Sequence, residues 1–317
     1  MNKETKRAFL QLHIAVFIFG FTAILGKLIS QDHFTIVWHR MWLAALGFFL
    51  FPGFFKILKT LSFKHVMSLF AIGALVAIHW ITFYGSIKIG KSASLTLGCF
   101  GLTSTFTSIL EPLIYKKRFE VLELILGILA LIGISIIAYF TPQFSADGGN
   151  FQLAIIVGVF SAFVAALFST INSTLTNKID TKLMTFMELL GGFLFLSIFL
   201  VLGLDIPSIM DFETFKWIPT TDSPMFIDSI YADVVWIAIL ALVCTNIAFV
   251  MNLNAMKRVS AFTANLAINL EPVYGIILAA FILKEHQFLN IHFYIGAAII
   301  LSSVLIHSII KSRGKKY

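Results

Sequence analysis

Four ionisable residues are clear cases of charge placed well inside otherwise apolar stretches of this chain: Arg40, Glu111, Glu188 and Glu271. A charge at the centre of a bilayer costs about 2.5–3.5 kcal/mol on insertion scales, so each of the four calls for a partner, an aqueous path or a task. Glu271 offers the most chemistry. It lies thirteen positions after Arg258, and the next residue, Pro272, lacks a backbone donor and crowds the carbonyl of Ile268. A kink there would expose backbone acceptors beside a titratable carboxyl at mid-depth, an arrangement suited to holding a substrate or passing a proton. Asn265 and Asn269, four residues apart, add neutral hydrogen-bonding groups to the same segment. The competing reading of Glu271 is a protonated side chain that only bonds a neighbouring helix.

Ser92, Thr96, Cys99, Thr103, Thr107 and Glu111 recur at spacings of 4, 3, 4, 4 and 4, which traces one face of a helix. Such a stripe lines a polar path or lets helices pack closely through interhelical hydrogen bonds, and the spacing serves both. Glu111 lies five residues from the Lys116-Lys117-Arg118 cluster, within reach of the membrane surface, and reads as structural. Arg40 either snorkels to the outer surface or attracts an anionic substrate group. Glu188 is equally open between structure and function. His79, Trp80 and Tyr84 set a titratable imidazole beside aromatic surface, although a membrane histidine is commonly only hydrogen-bonded.

The elements that must position these residues follow from composition. Hydrophobic residues make up 59% of the 317 and charged residues 12%, far from the balance of a water-soluble domain. Ten apolar stretches are each long enough for a hydrocarbon core about 30 Å thick: 9–29, 34–55, 66–88, 92–115, 121–140, 151–172, 183–204, 234–256, 259–283 and 291–310. They are too long and too continuously apolar for barrel strands, so the expected fold is an all-α integral membrane protein. The first stretch follows Lys3, Lys6 and Arg7 as a signal peptide would, but no small-residue cleavage site follows, and it is expected to remain as a membrane helix. Cys99 and Cys244 both fall inside helices, where a structural disulfide is not expected.

Placing the N-terminus in the cytoplasm puts seventeen of the 23 Lys and Arg residues in cytoplasmic segments and five outside, with Arg40 in a span. That asymmetry predicts both termini in the cytoplasm, and the plasma membrane is the expected location. The net charge of +7 is thus a matter of topology, with no continuous basic face for nucleic acid. The longest segment between spans, 205–233, is acidic and is expected outside, with a short interfacial helix over 210–218 or a plain solvated linker.

A repeat emerges from the loops. Tyr84 through Ala93 aligns without gaps to Asn252 through Ala261, an offset of 168 residues, each a basic hairpin ending in Ser-Ala. The same offset sets Thr103 against Glu271 and brings Gly127 within one position of Gly296. Five spans per half is an odd number, so the second copy enters the membrane from the opposite side and the repeat is inverted. The halves are expected as 1–145 and 146–317.

At this point the sequence resembles the EamA-type carriers of the drug/metabolite transporter superfamily. The resemblance rests on the five-plus-five arrangement, Arg40 early in the second helix, the Lys88-Ile-Gly-Lys-Ser-Ala93 hairpin, and Asn269-Leu-Glu-Pro-Val273 followed by Leu283-Lys-Glu285. Two features depart from it. Glu111-Pro112 and Glu271-Pro272 are not repeat-equivalent, and Lys284-Glu285 stands where such carriers commonly have Gly-Glu. The resemblance implies a secondary transporter that exports or exchanges small polar metabolites such as amino acids, holding the substrate between its halves by alternating access. No cofactor or metal is implied. The expected partners are the small-molecule substrate and the lipid bilayer, and a homo-oligomer stays open. The rival is a membrane-embedded enzyme, but the chain has no His-Glu-x-x-His, no Gly-x-Ser-x-Gly, no Asp-rich metal-binding run and no P-loop for ATP.

Overall fold

Backbone groups cut off from water must satisfy one another, so long apolar runs become helices. In the computed structural model, which describes residues 3–51, 53–57, 61–116, 118–140, 148–175, 178–202, 230–256, 267–268 and 270–314, every regular element is helical. The chain runs through α1 (Lys3–Leu28), α2 (His33–Gly47), α3 (Phe63–Gly90), α4 (Ala93–Phe100), α5 (Thr103–Tyr115) and α6 (Val121–Phe140). It continues through α7 (Phe151–Ser173), α8 (Thr181–Leu202), α9 (Ile230–Ala241), α10 (Ala248–Met256), α11 (Glu271–Ile282) and α12 (Ile291–Gly314). A π-helical stretch, Leu242–Ile247, joins α9 to α10. Among the described residues six stretches are long and apolar enough to cross a membrane: Lys6–Leu28, Phe63–Gly90, Ala93–Tyr115, Phe151–Ser173, Thr181–Leu202 and Ala232–Asn252. Leu124–Phe140, Glu271–Ile282 and Ile291–Ser303 are shorter apolar helices.

Two expected helices come out differently. The stretch 34–55 stops being α-helical at Gly47 and tightens into a 3-10 turn over Phe48–Leu50. Phe51 precedes a proline and takes φ −79°, ψ 127°, the extended backbone that the following ring imposes. The stretch 92–115 is interrupted between α4 and α5. The expected interfacial helix over 210–218, with most of the acidic segment around it, lies outside the described residues. Cys99 and Cys244 are both buried and free.

The interruption after α4 has a counterpart before α11. Leu102 (φ −75°, ψ −8°) and Leu270 (φ −83°, ψ −9°) precede α5 and α11 in one backbone conformation, neither with a side-chain cap. The Leu102 amide donates to the Cys99 carbonyl at 3.0 Å and the Phe106 amide to the Leu102 carbonyl at 3.0 Å. The Leu270 amide donates to the Ala267 carbonyl at 2.9 Å and the Tyr274 amide to the Leu270 carbonyl at 2.9 Å, the same pattern 168 residues on. Both helices are followed by a lysine in the left-handed region, Lys116 and Lys284, each at φ 54° and again 168 apart. Glycine takes that conformation without strain, and other residues adopt it uncommonly.

Earlier in each half the register differs by 148. The Asp32 Oδ1 accepts from the amides of Phe34 (2.8 Å) and Thr35 (3.1 Å), and the Asp180 Oδ1 from those of Lys182 (2.9 Å) and Leu183 (3.4 Å). Arg40 and Glu188 therefore stand at one register, each eight residues after its capping aspartate. Packing follows the same correspondence. α3 lies against α7 and α8, while α10 lies against α1 and α9 against α2. α5 packs on α7 as α11 packs on α1, and α2–α8, α4–α11 and α6–α12 pair across the halves. At the α3–α8 crossing the backbones touch: a Cβ on Gly73 would fall 2.1 Å from the Glu188 carbonyl oxygen.

Glu285 ties the end of α11 to the start of α4. Its carboxylate is fully buried and accepts from the Ser92 hydroxyl (2.9 Å) and from the amides of Ala93 (2.7 Å) and Ser94 (2.8 Å). Lys27 of α1 pairs with it at 3.1 Å. Those amides are the unsatisfied donors of a helix N-terminus, so the carboxylate serves as a cap supplied from the other half of the chain.

Candidate functional site

α2, α3 and the π-helical stretch meet around Arg40, which is 3% exposed and does not snorkel. Its Nε donates to the Thr245 hydroxyl at 2.9 Å and its Nη1 to the Tyr84 hydroxyl at 2.7 Å, while the guanidinium carbon lies 3.7 Å over the Trp80 ring. Three details of the chain make this possible. Trp80 and Tyr84 are four apart on α3 and present one face. The Thr245 hydroxyl donates to the Leu240 carbonyl at 2.8 Å, which leaves its lone pairs for the arginine. The wider π turn also turns Asn246 inward, where its Nδ2 donates to the Ala44 carbonyl at 2.9 Å, and such turns recur at functional sites. Finally, the Tyr84 ring occupies the space that Gly26 leaves: a Cβ there would meet the ring at 2.4 Å.

Among the described residues no carboxylate forms an ion pair with Arg40. Glu271, 9% exposed, lies within its electrostatic reach. The expected kink takes a different form, because Glu271 opens α11 and Pro272 falls in the first helical turn. Proline is well placed there, where an amide has no helical acceptor in any case. Asn265 and Asn269 lie outside the described residues.

The other candidates separate. His79 is 6% exposed and bound to α7, with Nδ1 2.9 Å from the Ser161 hydroxyl, and its ring stacks on Phe100 at 5.6 Å. Thr103 and Thr107 turn their hydroxyls back to the carbonyls of Phe100 (2.7 Å) and Thr103 (2.8 Å). Ser92 and Thr96 of the same stripe join helices: Ser92 bonds Glu285, and Thr96 meets Ser86, whose hydroxyl donates to the Ala154 carbonyl at 2.8 Å. Glu188, 5% exposed, accepts from the Asn172 Nδ2 at 3.2 Å. The structure thus brings together Arg40, Trp80, Tyr84 and Glu271 and sets His79, Thr103 and Thr107 in local bonds.

Sequence reasoning missed Thr245 and Asn172. The signal for Thr245 was the Cys244-Thr245-Asn246 run in the middle of an apolar stretch, and for Asn172 a carboxamide at the end of another. Chemically the site is built to bind. It offers a fixed guanidinium for an anionic group, a carboxyl for a cationic group or a proton, and an indole face. Among the described residues no three His, Cys, Asp or Glu side chains stand together as metal ligands.

Comparison with known proteins gives three findings. The EamA-like transporter family matches the chain twice, over residues 6–139 and 152–309. No curated protein matches it. A solved structure described only as "Crystal structure of protein" is similar over 96% of this chain and 98% of its own, with a TM-score of 0.59 and 13% identity, which speaks for the fold alone.

Proposed function

Because this chain belongs to the EamA-like transporter family and is a multi-pass membrane transporter, we propose that it is a secondary carrier that exports or exchanges small polar metabolites such as amino acids by alternating access. In this reading ten membrane helices form two inverted five-helix repeats in the plasma membrane, both termini cytoplasmic. The shared caps of α2 and α8, the shared interruptions at Leu102 and Leu270, and a packing pattern unchanged when the halves are exchanged all support the repeat.

The observation that carries the substrate reading is Arg40, a buried guanidinium held by Tyr84 from the first half and Thr245 from the second, with no carboxylate ion-paired to it among the described residues. A charge kept in such surroundings marks a substrate or ion pathway. A carboxylate ligand would complete its coordination, and Glu271 stands ready for the ammonium of the same molecule or for a coupling proton. Purified protein in liposomes, offered a panel of amino acids and related metabolites with and without a pH gradient, tests this. Uptake of at least one carboxylate-bearing compound is expected, with Arg40→Gln reducing it at least tenfold. Uptake unchanged in Arg40→Gln would remove the arginine from the substrate site.

A further inference from the structure

The mate of Arg40 in the second half is Glu188, and its surroundings contain an imbalance. Two buried oxygens there have no hydrogen-bond partner: Glu188 Oε1 and Asn172 Oδ1. The two side chains already touch, the Asn172 Nδ2 donating to Glu188 Oε2 at 3.2 Å. Each orphan acceptor out of water is costly, and a charged one more so. Among the described residues no cation forms an ion pair with the carboxylate. On the elements packed against α8 the charged or titratable side chains are His33, His39 and Arg40 of α2, Lys64, His65, His79, Tyr84 and Lys88 of α3, and Lys56 of the short helix Phe54–Ile57 before α3; α10 has none. Arg40 is taken up by Tyr84 and Thr245, His79 by Ser161, and on α8 itself Lys182 lies over the Phe51 ring at 5.5 Å. Asn172 is the polar group that acts on the Glu188 carboxyl.

We propose that Glu188 and Asn172 form a proton-binding site, an acid–amide pair in which the proton on Glu188 Oε1 is donated to Asn172 Oδ1 while Asn172 Nδ2 donates to Oε2. One proton then satisfies both orphan oxygens at once. Carboxylic acids and primary amides are complementary in this way, each supplying one donor and one acceptor. A metal ion would need several more oxygen ligands than these two. The site shares no residue with the Arg40–Glu271 site, and it is expected to take up and release its proton as α7 and α8 separate. It does not depend on which metabolite is carried.

The test is infrared difference spectroscopy of the purified, full-length carrier in lipid nanodiscs, titrated with pH in the absence of substrate. A protonated-carboxyl C=O band that disappears at high pH is expected, lost in Glu188→Gln and retained in Glu271→Gln. The Gln variant keeps the ring shape through an amide–amide pair, so it should fold. Asn172→Ala should keep the band and move its frequency, because the acid loses both ring bonds. A pH-sensitive carboxyl band that persists unchanged in Glu188→Gln, or one whose frequency ignores Asn172→Ala, overturns the proposal. Because no transported compound enters the measurement, failure here and failure of the substrate reading are told apart.

Discussion

Replacing Glu285 by Gln should destabilise the folded protein far more than loss of a single charge would suggest. Each carboxylate oxygen accepts twice: Oε1 from Lys27 and the Ala93 amide, Oε2 from the Ser92 hydroxyl and the Ser94 amide. Glutamine turns one oxygen into an NH2 group, which then faces two donors, at least one of them a backbone amide that cannot rotate away. Two charge-assisted bonds are lost, at about 1.5–3 kcal/mol each, and removing one member of a buried pair typically costs about 3–5 kcal/mol. We take the latter range, because Glu285 is fully buried and amides in the first turn of a helix have no acceptor within it. At about 1.4 kcal/mol per tenfold, the folded-to-unfolded ratio falls more than a hundredfold. Lys27→Met should cost less, about 1.5 kcal/mol, since its side chain is 24% exposed and three donors stay on the carboxylate. The assay is unfolding of purified protein in mixed micelles of rising SDS content, followed by tryptophan fluorescence, with heat denaturation as a check. A Glu285→Gln protein within about 0.5 kcal/mol of the parent, the range of ordinary surface changes, would refute the cap. So would Lys27→Met as damaging as Glu285→Gln.

Glu271→Gln keeps size and hydrogen bonding but cannot titrate, so uptake driven by a pH gradient should vanish while exchange across equal pH persists; Glu271→Ala should impair both, and a Gln variant that answers the gradient as the parent does removes the proton role. Gly26→Ala places a Cβ 2.4 Å from the Tyr84 ring, so the phenol must leave Arg40; overpacking of this kind costs about 1–3 kcal/mol, and both melting temperature and uptake should drop, whereas unaltered uptake would show that the Tyr84 contact is dispensable. Reporter fusions after Lys182 and at Thr221 should report opposite sides of the membrane, because seventeen Lys and Arg residues fall in the segments assigned to the cytoplasm and five in those assigned outside. Finding both on one side ends the topology.

What could be read in the sequence was whatever repeats or is costly. Apolar length gave the helices, and the cost of an intramembrane charge drew attention to Arg40 and Glu271, two of the residues the structure brings together. The interruption after Phe100 was not visible, because Gly101-Leu102 carries no proline and its counterpart Leu270 is followed two residues later by Pro272. Different residues make one break, so the backbone kept a correspondence that the side chains had lost. The hydroxyl stripe stayed open, since spacing cannot say whether Thr103 and Thr107 line a path or only bond their own helix, whose carbonyls their hydroxyls reach. The π stretch was hidden too: nothing in Leu242–Ile247 marks a wider turn, and it is that turn which aims Thr245 at Arg40.

Duplication also shows where the halves had to part. α2 and α8 share a capping aspartate, yet the residue eight places on is Arg40 in one and Glu188 in the other. Their neighbours changed with them. Positions 80 and 84 are Trp and Tyr, and the positions 168 further on are Ala248 and Asn252; Thr245 answers to Ala77. An indole face attracts a cation and repels an anion, so a carboxylate in place of Arg40 would meet the wrong side of a quadrupole and a hydroxyl already spent on the Leu240 carbonyl. A guanidinium in place of Glu188 would set five donors against a carboxamide with one free oxygen. Neither half could exchange its charge alone. The different residues at one register are therefore held in place by whole sets of neighbours, arginine among an indole, a phenol and a hydroxyl, glutamate beside a carboxamide.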